Sequence, residues 1–407
     1  MVSRRWKGAA MAFLIVLPVL PGCAATGSGQ SAALTRSTDS GGGAEKIFPI
    51  IDAEAGPTRN AVISPVSIDL AFGLLHAGAR GETRAQLEKI LPPPALPLEF
   101  ESDEQDVRVS ISNALFLDRR FRFQSAYLDE VRATYDANAI GVDFREKQAS
   151  ADTINGWADE ATEGLIPTVI APSQIKESMI AVLGNALYFE GLWQTKLERG
   201  GKMPFLFGSG ENRDFTFMGK VLTIPHARHR EWEAIRLPYR NPRYVMDVII
   251  PSERVVMETA PSLRTIERIK RKLDDGEGQL VSLAMPEFES DFAESIKKPL
   301  QAIGLTSPFG DATTDLSGIT VPGQGTPAVN DVRHFTKLQV FDEGTRAAAV
   351  TTLGIVVVSG RRYKTPPIRF EADRPFLVVL RDLERDAMLF IGRIADPKPY
   401  EPEDGAD

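Results

Sequence analysis

One segment near the C-terminus, residues 342–358, most constrains what this chain can fold into. Read with the two-residue period of a β-strand, one face carries only small uncharged side chains, which are Thr345, Ala347, Ala349 and Thr351. The only charge beyond Gly344, on Arg346, points the other way. Such a segment can enter between two existing strands, because no side chain on its buried face needs space or a charge partner. The pattern therefore predicts a loop that can become a strand, although a surface turn leading into an edge strand also fits it.

The sequence contains no motif of a known enzyme class: no nucleophile elbow, no phosphate-binding loop and no zinc-protease helix. Its one cysteine, Cys23, lies close to the N-terminus, which excludes a cysteine nucleophile and a zinc ribbon. The four scattered histidines are His76, His226, His229 and His334. His226 and His229 with Glu231 form the nearest approach to a metal motif, but they lie in a basic, loop-like stretch. We expect no catalytic residue, no metal and no cofactor, and therefore no enzyme.

The N-terminus has the pattern of an export signal. Arg4, Arg5 and Lys7 precede an apolar run, residues 9–20, that is too short to span a bilayer comfortably. We interpret residues 1–22 as a signal peptide. Cys23 follows directly, and this arrangement resembles a bacterial lipoprotein signal in which the cysteine is lipidated, although Pro21 departs from the usual residue there. The alternative is a plain signal peptide followed by a stray cysteine.

Residues 23–44 are rich in Gly, Ser, Thr and Ala, which predicts a flexible tether spanning on the order of 25 Å. The chain has a formal net charge of -8, and removing the leader, which holds three basic and no acidic residues, makes it -11. This acidic balance argues against nucleic-acid binding and serves solubility. The predicted location is extracytoplasmic, anchored by lipid at the cell envelope on its extracellular or periplasmic side.

Helical and strand patterns alternate irregularly through the rest of the chain, and this predicts one mixed α+β domain over residues 45–400. Ser64 and Pro65 begin a helix that Gly78 and Gly81 end. Strands are predicted at residues 108–118, 179–193, 244–250, 280–288, 376–381 and 387–394. Further helices are predicted near residues 152–162, 263–273 and 293–303.

Many separate runs between residues 45 and 397 resemble, in order, those of the serpin family of serine protease inhibitors. The matching runs are residues 60–68 (NAVISPVSI), 78–83 (GARGET), 154–157 (INGW), 162–166 (TEGLI), 184–193 (GNALYFEGLW), 237–239 (LPY), 285–288 (MPEF), 373–376 (DRPF) and 389–393 (LFIGR). With its lipoprotein-type signal, the chain is similar to a bacterial member. The resemblance implies three β-sheets, eight or nine helices and an exposed reactive-centre loop, with hinge and loop at residues 342–366.

The resemblance also implies inhibition as a suicide substrate: a protease cuts the loop, forms an acyl-enzyme, and is trapped when the hinge inserts into the central sheet. The implied hinge residues are Glu343, Gly344, Thr345, Arg346, Ala347, Ala348, Ala349, Val350 and Thr351. The implied sheet-opening residues are Ser64, Ser67, Asn185, His334 and Trp193. Arg346 and Val350 depart from the family's usual residues, but both lie on the outward face.

Counting from Gly344 as the family does places the cleaved bond between Val358 and Ser359. Val358 suits a small apolar primary pocket, as in elastases, and the expected partner is an elastase-like serine protease held as a covalent acyl complex. Arg361 or Arg362 is the competing choice and would suit a trypsin-like enzyme. We expect a monomer that also contacts the membrane through lipid on Cys23. The alternative function is a serpin-fold binding protein, or a plain protease substrate, without inhibition.

Overall fold

The computed structural model describes residues 43–93, 102–104, 106–324, 327–345 and 365–400. Its α-helices are α1 (Phe48–Ala55), α2 (Pro65–Gly78), α3 (Gly81–Ile90), α4 (Ser125–Tyr135), α5 (Lys147–Ala161), α6 (Leu263–Asp274) and α7 (Lys297–Ala302). Short 3-10 helices cover Ala44–Ile47, Pro172–Gln174 and Ser307–Phe309. Within these residues no helix is both long and apolar enough to cross a membrane.

The strands form two hydrogen-bonded sheets in the described part of the chain. They are β1 (Ala61–Ile63), β2 (Ser102–Glu104), β3 (Val107–Asp118), β4 (Ala137–Val142), β5 (Ala181–Leu192), β6 (Glu198–Leu206), β7 (Asn212–His229), β8 (Trp232–Pro238), β9 (Tyr244–Pro251), β10 (Gly278–Pro286), β11 (Phe288–Ser295), β12 (Arg333–Val340), β13 (Gly344–Thr345), β14 (Ile368–Glu371), β15 (Phe376–Asp382), β16 (Ala387–Ile394) and β17 (Lys398–Pro399).

The central sheet has eight strands, ordered β17-β11-β12-β13-β5-β3-β2, with β4 paired to β3. It is covered on both faces. Leu115 and Leu117 of β3 lie in the main core, whereas Ala114 and Phe116 pack in a second core beneath α5. The strand predicted at residues 179–193 is confirmed as β5, which lies inside this sheet between β13 and β3.

The other sheet has nine strands, because the 18-residue strand β7 belongs to two ladders. The first part of β7 pairs with β6 and β10, and its last four residues pair with β8. The expectation of three sheets is therefore not met in the residues described, where one long strand joins two ladders into one. The described helices are seven α-helices and three 3-10 helices, in place of the expected eight or nine.

Local capping explains the helix that precedes the site. The Ser64 side chain accepts a hydrogen bond from the backbone N–H of Ser67, and Pro65 occupies the first turn of α2, as predicted. Gly81, in contrast, does not end this helix. It is the first residue of α3 and has φ +50°, which glycine adopts without strain.

The bounds of two predicted elements between residues 280 and 303 were wrong. Residues 280–288 form two strands in different sheets, because the chain leaves β10 at Pro286 and enters β11 at Phe288. The helix predicted at 293–303 is shorter: β11 continues to Ser295 by pairing with β12, and α7 begins only at Lys297. Tertiary pairing overrides the local helical pattern there.

Candidate functional site: a gap in the central sheet

The described residues place the start of the predicted hinge inside the central sheet. Thr345 pairs antiparallel with Val340 of β12 on one side and with Gly191 of β5 on the other. Its side chain is buried, with 2% of its surface exposed. Thr345 is therefore buried, as the sequence predicts for a residue on the small face of the hinge.

Below Thr345 the two flanking strands separate. In the part of the chain that the structure describes, no backbone ladder joins β5 directly to β12. The gap between them is lined by Leu187, Tyr188 and Phe189 of β5, Lys337, Leu338 and Gln339 of β12, Thr345, Phe390, and by Thr162, Leu165 and Ile166 after α5. We call this gap the slot. The segment after α5 contributes to its lining, so a strand entering the slot has to displace that segment.

A set of aromatic contacts holds the upper end of the slot. The hydroxyls of Tyr239 and Thr345 are 2.6 Å apart. The Tyr239 ring stacks on Trp193 with centroids 4.5 Å apart, and the Trp193 indole N–H donates to the carbonyl oxygen of Phe341. Gly344 lies so close to Gly191 that any Cβ on it would collide with the Gly191 carbonyl oxygen. Only glycine fits there, so Gly344 fixes where the hinge enters the sheet.

One lysine holds the chain just before the hinge. Lys196 Nζ contacts the Glu343 carboxylate and lies 3.4 Å from Asp342 Oδ2. The hydrogen bond that Lys196 donates to the Glu343 carboxylate, with help from the charge of Asp342, raises the pKa of Lys196. All three side chains are partly exposed, so each pair contributes about 0–1 kcal/mol. These contacts orient the start of the hinge and contribute little stability.

A buried polar cluster lies lower in the sheet, around the start of α2. The backbone N–H of Ser64 donates to Nε2 of His334, on β12, over 3.0 Å. The Ser67 hydroxyl donates to the amide oxygen of Asn185, on β5. Ser64 and Ser67 are joined by the capping bond of α2. The start of α2 thus bridges the two strands that border the slot.

The cluster continues one strand further, through a residue that the sequence did not indicate. The Asn185 amide donates to the side-chain oxygen of Asn113 over 2.8 Å, and Asn113 donates to the backbone carbonyl of Tyr135. Asn113 stands between Ile111 and Leu115 on the same face of β3. The sequence signal that could have identified Asn113 is its position as the one amide on an apolar strand face, because a buried amide requires hydrogen-bond partners.

Burial controls the charge of His334. The side chain is enclosed, and this desolvation lowers its pKa to about 3. Because Nε2 accepts the Ser64 N–H, the ring is neutral and its proton lies on Nδ1. Protonation of Nε2 would remove the acceptor and bury an unpaired charge.

Comparison with known proteins identifies the fold that carries this gap. The model of the family described as "Serpin (serine protease inhibitor)" matches residues 44–397. The chain belongs to the serpin family.

Curated relatives of this serpin carry the names of inhibitors. It is 30% identical to antithrombin-III of Homo sapiens over 359 residues, which cover 83% of this chain and 76% of that protein. It is 29% identical to the leukocyte elastase inhibitor of Sus scrofa over 367 residues, covering 84% of this chain and 95% of that one.

Solved structures agree on the serpin fold at lower identity. Protease nexin-1, crystallised with heparin, has a TM-score of 0.74 at 23% identity, covering 88% of this chain and 98% of that one. Thyroxine-binding globulin in complex with thyroxine has a TM-score of 0.75 at 20% identity, with the same coverage. At these identities the likeness shows the fold alone.

The predicted sheet-opening residues of this serpin fall into two groups. Ser64, Ser67, Asn185 and His334 meet in the polar cluster, and His334 and Asn185 reach each other only through the serines among the contacts described. Trp193 lies apart from them, at the hinge end of the slot. Several predicted residues fall outside the described part of the chain. These are Cys23, Arg346, Ala347, Ala348, Ala349, Val350, Thr351, Val358, Ser359, Arg361 and Arg362.

The histidines considered for a metal site do not form the group that the sequence suggested. His226 Nε2 lies 2.7 Å from Glu233 Oε1, so Glu233, and not Glu231, is its acidic neighbour. Arg228 donates to the same carboxylate. Among the described residues no cluster of three or more His, Cys, Asp or Glu side chains is placed to hold a metal ion.

Proposed function

We propose that this serpin inhibits an elastase-like serine protease by inserting its cut loop into the slot. The protease serine attacks the carbonyl carbon of Val358, the bond to Ser359 breaks, and the new amine leaves with the proton. The inhibitor then remains attached to the protease serine as an ester through Val358. Insertion before hydrolysis of this ester traps the enzyme.

The observation that carries the proposal is the position of Thr345 at the upper end of the slot, where, among the described hinge residues, it is the one that pairs with both β12 and β5. β12 and β5 run parallel to each other, so a strand entering between them is antiparallel to both. Its N–H and C=O groups can then pair on both sides at once, and each added ladder bond stabilises the product by about 1 kcal/mol.

Continuing the two observed registers one residue at a time indicates where the hinge would lie. Ala347 falls between Leu338 and Phe189, where a small side chain fits against two buried apolar ones. Thr351 falls between His334 and Asn185. A threonine hydroxyl there can join the polar cluster, so the small face of the hinge complements the slot along its length.

Target class rests on the residue at the cleaved bond. Val358 is β-branched and preceded by two further valines, and it fits a shallow apolar pocket better than a deep acidic one. The name of one relative, the leukocyte elastase inhibitor, supports this choice. Cleavage after Arg361 or Arg362 would instead direct the protein to trypsin-like enzymes.

A panel of serine proteases tests the proposal. Mixing the protein with an elastase and with trypsin should give an SDS-stable adduct with the elastase, together with a C-terminal fragment that begins at Ser359. Cleavage without an adduct for every protease would reject inhibition. An adduct whose fragment begins at Arg362 or Tyr363 would retain inhibition and reject the elastase assignment.

We further propose that the protein is a bacterial lipoprotein, exported and held at the cell envelope by lipid on Cys23. The supporting pattern is the basic and apolar leader followed directly by the only cysteine of the chain. The tether up to residue 44 would leave the inhibitor domain free to meet its protease.

A further inference from the structure

Six exposed basic side chains lie together on two neighbouring elements. They are Arg228 and Arg230, where β7 turns into β8, and Arg264, Arg268, Arg271 and Lys272 on α6. The two elements touch, because Lys272 Nζ donates to the backbone carbonyl of Arg228 over 2.8 Å. We call these six residues the basic surface. It stands out on a chain whose formal net charge is -8.

On α6 the charges follow the exposed side of an amphipathic helix. Ile266, Ile269 and Leu273 are buried and attach the helix to the core. Arg264, Arg268 and Arg271 are spaced four and three residues apart, which places them on one face opposite the buried residues. The basic face therefore points away from the core.

The acidic groups nearest this face are occupied. Glu267 pairs with Lys270 over 2.5 Å, and Asp274 pairs with Arg236 over 2.7 Å. Across the described ranges, the ion pairs include none for Arg230, Arg264, Arg268, Arg271 or Lys272. The exposed acids at the borders of the surface are Glu231, Asp275 and Glu277. Most of the positive charge of the surface is thus available to an external anion.

Helix stability does not account for the whole set. Cations in the last turn of α6, Arg271 and Lys272, interact favourably with the negative end of the helix dipole. Arg264, however, is the second residue of α6, where the dipole disfavours a cation. A binding role explains why the basic face extends to that end.

The segment that leads into α6 contacts the first described α-helix. The backbone N–H of Ala260 donates to Asp52 Oδ2, in α1, over 2.7 Å. Ala260 stands two residues before Ser262, which caps α6. The first α-helix after the tether is therefore bonded to the segment that leads into α6.

We propose that the basic surface binds anionic phospholipid headgroups and lays the domain against the membrane. The inference rests on the lipid anchor proposed above, which would bring the domain to that membrane. The anchor favours lipid over other anions, because a tether spanning on the order of 25 Å keeps headgroups at high local concentration. The net negative charge of the domain does not prevent this, since salt screens charges beyond about 8 Å.

Sedimentation with lipid vesicles tests the inference without the anchor. The exported full-length chain carrying Cys23→Ala is mixed with phosphatidylcholine vesicles, with and without phosphatidylglycerol. Binding should require phosphatidylglycerol and be released by added salt. Each basic residue near the surface contributes about fivefold to the affinity, so Arg264→Glu, Arg268→Glu and Arg271→Glu together should reduce binding at least about 100-fold.

The matched control changes three exposed lysines on other elements, Lys147, Lys176 and Lys202, to Glu. It alters net charge equally and should retain most of the binding. Equal loss in both variants, or none in the α6 variant, overturns the proposal. A third outcome also overturns the proposal: sulfated dextran releases the protein from the vesicles at a concentration of negative charge lower than that of the lipid. The basic surface would then bind a soluble polyanion in preference to lipid. Because the test chain lacks the cysteine, a failed lipid anchor is distinguishable from a failed surface.

Discussion

The neutral state of His334 links the site to pH. Its pKa is lowered to about 3 by burial, whereas an unfolded histidine titrates near 6.5. Below about pH 6.5 the unfolded chain therefore binds a proton that the native protein does not. The contribution of this residue to native stability is complete above that pH and is lost progressively as the pH falls towards 3.

We predict that acidification from pH 7 to pH 5 destabilises the native protein by about 2 kcal/mol through His334 alone. A His334→Gln variant should lack this component, because the amide oxygen of Gln can still accept the Ser64 N–H and does not titrate. Urea unfolding of both proteins at the two pH values measures the difference.

The parent and the His334→Gln variant have to be compared, because other titrating groups change the stability with pH in the opposite direction. Burial raises the pKa of Glu45 and of Glu287 to about 7, so both stabilise the native state more at acid pH. These groups are the same in parent and variant and cancel in the difference. An identical pH response in the two proteins would contradict the role assigned to His334.

At the scale of elements, the hinge offers a matched pair of substitutions. Ala347→Arg would place an unpaired charge between Leu338 and Phe189 on insertion, at a cost of several kcal/mol. In the same continued register Ala348 would face outward, on the face that the two-residue period assigns to Arg346. We predict that Ala347→Arg is cleaved as a substrate and that Ala348→Arg still traps protease. The ratio of adduct to cleaved inhibitor on a denaturing gel measures this.

The outcome separates the insertion mechanism from a general effect of loop charge. If both variants trap protease as the parent does, the slot is not where the hinge goes. If both fail equally, the two-residue period is the wrong description of the hinge.

The sequence predicted those elements whose signals are local. The cap at Ser64 and the apolar run of β5 needed no knowledge of distant residues, and the structure agrees with both. The inward position of Thr345 was also predictable, since the two-residue period alone assigns this residue to the small face. Residues 293–303 were not, because only pairing with β12 decides that β11 extends to Ser295.

The site was predictable only in part. The resemblance to a family brought Ser64, Ser67, Asn185 and His334 together, but it did not reveal that the start of α2 bridges the two strands. Asn113 was missed, because strand pairing across β5 and β3 is what places it beside Asn185.

At the scale of the whole molecule, the proposed insertion requires that the intact protein is not in its most stable state. Cleavage of the loop should let the hinge add about ten backbone hydrogen bonds at about 1 kcal/mol each. We predict that cleavage raises the melting midpoint by about 20 °C. Scanning calorimetry before and after limited elastase digestion measures it, and an unchanged or lower midpoint would exclude a metastable native state.

The proposed attachment to the membrane also belongs to the scale of the whole molecule. We predict that the parent protein partitions into the detergent phase and that a Cys23→Ala variant leaves it, because the apolar contribution comes from the lipid chains. Phase separation of cell extracts measures this. Equal partitioning of the two proteins would reject lipidation of Cys23.

In the described part of the chain the facing edges of β5 and β12 are not joined below Thr345, and this has a consequence for the protein in concentrated solution. Each edge offers backbone donors and acceptors in a fixed order, and these groups do not distinguish one extended peptide from another. The loop of a neighbouring copy has the same small face as the protein's own loop. Insertion of a molecule's own loop does not depend on protein concentration, whereas insertion of a loop from a neighbouring molecule becomes more frequent as the concentration rises. The slot on which the proposed trapping depends would therefore make linear self-association the characteristic failure of a crowded preparation.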